Sequence, residues 1–103
     1  MSVRWMRSAV ISNGRIPQAI AWSKEITSYA EKKFGTGKIE TWIDGFGTVG
    51  SIRWTIDYPD LASFEKVQTQ MLMDADYWKY IERAVKDQLF IDGSSVDTVS
   101  RSV

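Results

Sequence analysis

The chain of 103 residues contains no cysteine and no histidine. Without cysteine there is no disulfide, no thiol nucleophile and no thiolate metal site. Without histidine the commonest general base is gone, along with the Ser-His-Asp triad and the usual zinc and haem ligands. No apolar run approaches the roughly 18 residues that a membrane-crossing helix needs. Neither sign of charge is in excess: Lys plus Arg and Asp plus Glu are 13 each. Nucleic acid and anionic membranes are usually bound through surplus basic charge, so neither is expected as a partner. Repeats, low-complexity tracts and linkers are also missing. Apolar strand pattern begins almost at Met1, which leaves no room for a signal peptide and sets a cytoplasmic location as the expectation.

What is present is ordinary in proportion, with 44% hydrophobic and 25% charged residues, and unusual in one respect, five tryptophans. The length is that of a single domain, residues 1–103. A domain of this size buries a thin core, and dimerisation would add to it.

The stretch from Lys38 to Tyr58 reads as a hairpin. Two runs rich in β-branched and aromatic residues flank an Asp-Gly-Phe-Gly-Thr turn signal. With an even loop, Ile39, Thr41 and Ile43 share a face with Ile52, Trp54 and Ile56. Glu40, Trp42 and Asp44 then share the other face with Ser51, Arg53 and Thr55. Glu40 falls roughly opposite Arg53. Upstream, Val3 to Ser12 reads as a strand with Val3, Trp5, Ala9 and Ile11 on one phase and Met6 and Val10 on the other. Apolar residues on both phases predict a central strand covered on both sides. A helix is predicted from Pro17 to Phe34, with Ala19, Trp22, Ile26, Tyr29 and Ala30 on its apolar stripe and Gly35 as its left-handed cap. After Tyr58-Pro59, Asp60 caps a second helix, Leu61 to about Met73. Asp74 or Asp76 re-caps the chain for a third segment, Tyr77 to about Lys86. Leu89-Phe90-Ile91 is an apolar stop, and Val96 to Val103 alternates as an edge strand.

The order β-α-β-β-α(α)-β is that of an α+β, ferredoxin-like split sandwich with helices on one face of a four-stranded sheet. The other face must then be wet, covered by ligand, or packed on a partner. A two-faced first strand and Trp42 on the polar side of the hairpin favour a second copy related by a two-fold axis. Two sheets face to face form a dimeric α+β barrel whose mixed interior has the make-up of a small ligand pocket.

From LASFEK at Leu61 through MDADYWKYIE at Met73 to LFIDGSS at Leu89, the chain resembles the C-terminal half of the NIPSNAP-like families in element order, and Asp74 to Ile81 and Leu89 to Ser95 resemble it in residues. The resemblance implies the dimeric α+β barrel superfamily, which also holds the antibiotic-biosynthesis monooxygenases and EthD-like proteins. It implies fold and homodimer; activity differs among members. The lack of histidine counts against the haem-binding members, and no cofactor is expected.

Other motifs have plainer readings. Asp44 to Ser51 (DGFGTVGS) resembles the RNA-recognition octapeptide at its glycines, Phe46 and Val49. Asp44, Thr48 and Ser51 replace the base and two stacking aromatics, so a glycine-rich turn is the better reading. Asp74 and Asp76 have no third hard ligand at calcium-loop spacing and read as helix caps, so no metal site is expected. Trp22 and Trp54 are expected in the core. Tyr29, Tyr58, Tyr77, Tyr80 and Asp57 are the hydroxyls and strand-end carboxylate that a proton-transfer enzyme without histidine would draw on, though no catalytic residue is singled out.

The ligand-binding candidates are Trp42, as a flat wall, Arg53, as a grip for a carboxylate or enolate, and Glu40, as its neighbour. A wet cross-strand ion pair is the plainer account of Glu40 and Arg53. The function expected is a small-molecule binding or accessory protein with its pocket in a homodimeric barrel. The alternative, which the resemblance suggests, is a cofactor-independent monooxygenase or isomerase acting on a small aromatic or apolar substrate, with desolvation and a proton acceptor supplied by the protein.

Overall fold

The computed structural model describes residues 2–45 and 50–103. The turn from Phe46 to Val49, and with it most of the octapeptide, lies outside them. The elements are β1 (Val3–Val10), α1 (Ile16–Phe34), β2 (Glu40–Ile43), β3 (Ser51–Tyr58), α2 (Leu61–Leu72), α3 (Ala75–Lys86) and β4 (Val96–Arg101). The four strands make one sheet in the order β2-β3-β1-β4, with every neighbouring pair antiparallel. This is the α+β, ferredoxin-like arrangement that the element order predicts.

Register decides which side chains meet the helices. Val3 pairs with Tyr58, Trp5 with Ile56, Arg7 with Trp54 and Ala9 with Ile52. Across the hairpin Thr41 pairs with Trp54 and Ile43 with Ile52, so the faces divide as the alternation predicts. Val3, Ala9, Ile52, Trp54, Ile56 and Tyr58 are buried. From the helices, Ala19, Trp22 and Ile26 of α1, Val67 of α2 and Ala84 of α3 close over them. Alternate strand residues pack inward because successive Cβ atoms point to opposite faces.

The helix ends follow local chemistry. Pro17 sits in the first turn of α1, where a missing N–H costs nothing. Gly35 closes that helix at φ 61°, and its N–H donates to the Glu31 carbonyl. The Asp60 side chain accepts from the Ser63 N–H, and Asp74 accepts from the Tyr77 N–H at 3.0 Å. Asp74 therefore starts α3, and Asp76 falls in its first turn, where negative charge suits the helix dipole. The third helix begins two residues earlier than the apolar pattern alone indicates, because the cap lies at Asp74. At its other end Gln88 takes a positive φ of 51°. This bend buries Leu89 and delivers Phe90 to an isolated bridge with Ile11.

No helix among the described residues is long and apolar enough to cross a membrane.

Two tyrosines are held in the neutral form. The Tyr29 hydroxyl donates to Asp74 at 2.5 Å, which pushes its pKa up to about 12, and burial pushes Tyr58 to about 12. A raised folded-state pKa gives stability that is complete below the unfolded value of about 10 and is lost as pH rises through the folded one. Absorbance titration near 295 nm is therefore expected to show two late phenolates near pH 12. Stability to urea should fall over the same rise, and Tyr29→Phe should remove one late phenolate.

Candidate functional site

The two faces of the sheet offer different chemistry. On the uncovered face lie all three sequence candidates. Trp42 is 56% exposed and pairs directly with Arg53. The Arg53 guanidinium donates to Asp44 at 2.6 Å. Glu40 pairs with Thr55, so it stands one row away from Arg53. The expected facing pair of Glu40 and Arg53 is thus corrected: the register sits two residues further along, and Asp44 takes the guanidinium. Next to them Arg4 makes a two-bond ion pair with Asp57 at 2.8 and 3.0 Å. Such exposed pairs add little to stability, because water and salt screen them. The three candidates share one face, and none of them borders the spaces between the sheet and the helices.

A concave space lies on the opposite side, between the sheet and the helices. A cleft of about 840 Å³ runs over Arg7, Ala9 and Trp54 of the sheet, beneath Trp22 of α1 and Ile81 and Ala84 of α3. Phe90 and the loop from Ile91 to Ser95 form its rim. Its size is within the range of small-molecule sites. Beside it, a smaller hollow of about 60 Å³ lies between Trp5, Ile26 and Tyr77 and shares Arg7, Trp22, Trp54 and Ile81 with the cleft.

Three aromatics build the wall. Trp22, Trp54 and Phe90 meet edge to face, with ring centroids 5.4 to 6.2 Å apart. Contacts of this kind add about 0.5–1.5 kcal/mol each beyond the area they bury. The Trp22 indole N–H donates to the Tyr80 carbonyl at 2.8 Å, which ties α1 to α3. The Trp54 indole N–H has no acceptor among the described residues, although Trp54 is only 6% exposed.

The one charge on the buried half of β1 is Arg7. Its Cα partner on β4 is Asp97. The guanidinium donates from Nε and Nη2 to the two carboxylate oxygens at 2.7 and 2.9 Å. It also lies 5.3 Å from the Trp5 ring centre, a cation–π distance. The hydrogen bonds to Asp97 raise the Arg7 pKa against the cost of burial, with a smaller push from Tyr77. The same bonds hold the Asp97 carboxyl below its usual range, although burial opposes them. The pair is therefore charged on both sides.

Arg7, Asp97 and the cleft itself are absent from the sequence candidates. The signal was available. Arg7 sits on the phase of Val3, Trp5, Ala9 and Ile11, and a charge on an otherwise apolar phase marks a paired or functional group. Trp54 is core, as expected, but it also borders the cleft. Trp22 does the same. Trp5 is half-buried on the helix side, and Trp78 lies at the surface with its N–H donating to the Leu72 carbonyl. Asp57 is engaged by Arg4, and Tyr58 is buried. No group of three or more acidic residues that would hold a metal ion occurs among the described residues.

No family model and no curated protein matches the chain by sequence. Solved structures do match it by shape. A NIPSNAP family protein from Agrobacterium tumefaciens superposes with a TM-score of 0.80 over 100% of this chain and 94% of its own, at 13% identity. Its fold is the NIPSNAP fold. An uncharacterised NIPSNAP domain protein from Burkholderia xenovorans gives 0.78 over 100% and 95% of the two chains, at 15% identity. A variant of SnoaB, a cofactor-independent oxygenase from Streptomyces nogalater, gives 0.70 over 98% and 92%, at 8% identity. The NIPSNAP-like resemblance read from the sequence and the antibiotic-monooxygenase-like architecture both hold at the level of fold. Identities this low carry no activity from one chain to another.

The Arg7–Asp97 pair has a pH signature. A depressed Asp97 pKa gives stability that is present above the unfolded value of about 3.9 and is lost as pH falls through the lower folded value. Urea unfolding at a series of pH values should show Arg7→Met flattening the loss of stability below about pH 4. An unchanged acid limb in the variant would mean that Asp97 is not held by Arg7 in solution.

Proposed function

We propose that this protein binds a small apolar or aromatic molecule in the cleft between its helices and its sheet, as a binding or accessory protein. The observation that carries this reading is a half-buried, ion-paired arginine beside three edge-to-face aromatics in one space of about 840 Å³. Apolar walls with a few fixed polar groups are the usual make-up of a ligand site. This reading keeps a pocket and puts it on the covered face of the sheet rather than in a seam between two copies.

An enzyme of the cofactor-independent oxygenase kind is the second reading, favoured by the shape shared with SnoaB. A general base works best with a pKa near the working pH. The carboxylate nearest the cleft's arginine is Asp97, and its pKa is held low. That chemistry suits holding a ligand better than taking its proton, which places binding first.

We further propose a homodimer formed through the uncovered face of the sheet. Trp42 and Val96 are each 56% exposed there, at opposite ends of the row Trp42, Arg53, Ser8 and Val96. Apolar groups at both ends and polar ones between give a surface that complements itself on a two-fold rotation. Glu40, Trp42 and Arg53 would then line the seam between copies.

The five indole N–H signals test the binding reading directly. In a fragment screen by nitrogen–proton NMR, cleft binders should move the Trp22 and Trp54 indole signals and leave Trp42 in place. Fragments that move only Trp42 would return the site to the sheet face. If a chemically broad set moves no indole signal, the binding reading fails. For the dimer, light scattering after size exclusion at micromolar concentration should give twice the chain mass, and Trp42→Glu should give monomer. A monomeric wild-type protein would remove the barrel.

A further inference from the structure

We propose that the cleft selects an uncharged aromatic molecule carrying one acceptor oxygen, such as an aryl ketone or amide, and that Asp97 makes it reject the matching carboxylate. This rests on the reading of the cleft as a binding site.

The first support is an imbalance of donors. The Trp54 indole N–H is shut away from solvent with no acceptor among the described residues. Arg7 stands across the strand pair from it and donates from Nε and Nη2 to Asp97. Both side chains border the cleft and the smaller hollow beside it. A buried donor without a partner beside an apolar wall calls for an acceptor. An occupant without one leaves that donor unpaired, which typically weakens binding about 5- to 100-fold.

The second support is the balance of charge. The charged side chains that line the cleft are Arg7, Arg15 and Asp92, and Asp97 is bound to Arg7. Two cations face two anions, so the space offers no net attraction for an anion. A ligand carboxylate brought to Arg7 would also sit beside the Asp97 carboxylate on the same guanidinium. It would give up water and meet a like charge for a cation that is already neutralised. A carbonyl oxygen accepts the same hydrogen bonds without either cost. Flat rings suit the wall, since Trp22, Trp54 and Phe90 present edges and faces to one space.

Three probes of nearly one shape separate these terms: 2-acetylnaphthalene, 2-ethylnaphthalene and 2-naphthoate. Their affinities are read at neutral pH from the Trp54 indole signal, in the wild type and in Asp97→Asn. In the wild type the ketone should bind about tenfold tighter than the ethyl compound and at least about tenfold tighter than the carboxylate. Asp97→Asn keeps an acceptor for Arg7 and frees its charge. It should raise naphthoate affinity about tenfold or more while moving the ketone less than about threefold. Equal binding of ketone and ethyl probes would overturn the acceptor rule while leaving the cleft as a site. Naphthoate binding as tightly as the ketone in the wild type, or unmoved by Asp97→Asn, would overturn the role of Asp97. Failure of all three to move the Trp54 signal at millimolar concentration would overturn the binding reading and this inference together.

Discussion

A charge on the covered face of a sheet must be paired, and in this protein that requirement falls on Arg7. Its neighbours along the strand on the same face are Trp5 and Ala9, and its Cα partner on β3 is Trp54. A half-buried guanidinium without a partner in that place would give up water and gain nothing in return. The partner comes from β4, whose other described contacts with the core are slight: every residue of that strand is exposed. Two hydrogen bonds at 2.7 and 2.9 Å therefore lock the register of an edge strand that apolar burial alone would hold weakly. The same pairing fixes where the guanidinium ends, beside both the cleft and the smaller hollow. Edge strand, cleft and charge balance all depend on this one contact.

The two sheet faces divide their work accordingly. On the covered face a single ion pair stands among aromatics. On the uncovered face Arg4–Asp57 and Arg53–Asp44 alternate with Trp42, Met6 and Val10. Exposed pairs of that kind add little to stability but set which surfaces may meet, since a mismatched approach brings like charges together. A face of this composition specifies a partner better than it stabilises a monomer.

Most of the fold was legible in the sequence, for physical reasons tied to particular residues. Gly35, Asp60 and Asp74 mark helix ends because a left-handed cap and a side-chain acceptor are local requirements, satisfied within four residues. The hairpin faces were legible because a period of two survives any error that is a multiple of two. That same fact explains the misplaced Glu40: it lies on the expected face, one row from Arg53, and only the turn could set the row. The cleft was not legible, because it is made by residues far apart in the chain. Arg7 and Asp97 are 90 positions apart. Alternation names each residue's face but gives no partner across β1 and β4. What alternation did show was a charge among Val3, Trp5, Ala9 and Ile11, the one place where the pattern of the first strand breaks.

Breaks of this sort carry more information than the pattern they interrupt. A sequence optimised only to fold would put an apolar residue at position 7 and save the cost of burying a charge. Retaining both Arg7 and Asp97 sacrifices some stability for a directed set of donors in an otherwise apolar space. The unpaired Trp54 N–H points the same way, because phenylalanine would fill that position without an orphaned donor. Each feature alone has a structural excuse: one fixes the edge strand, the other fills the core. Their meeting beside both the cleft and the smaller hollow is what structure alone does not require, and it is the reason to place the chemistry on the covered face.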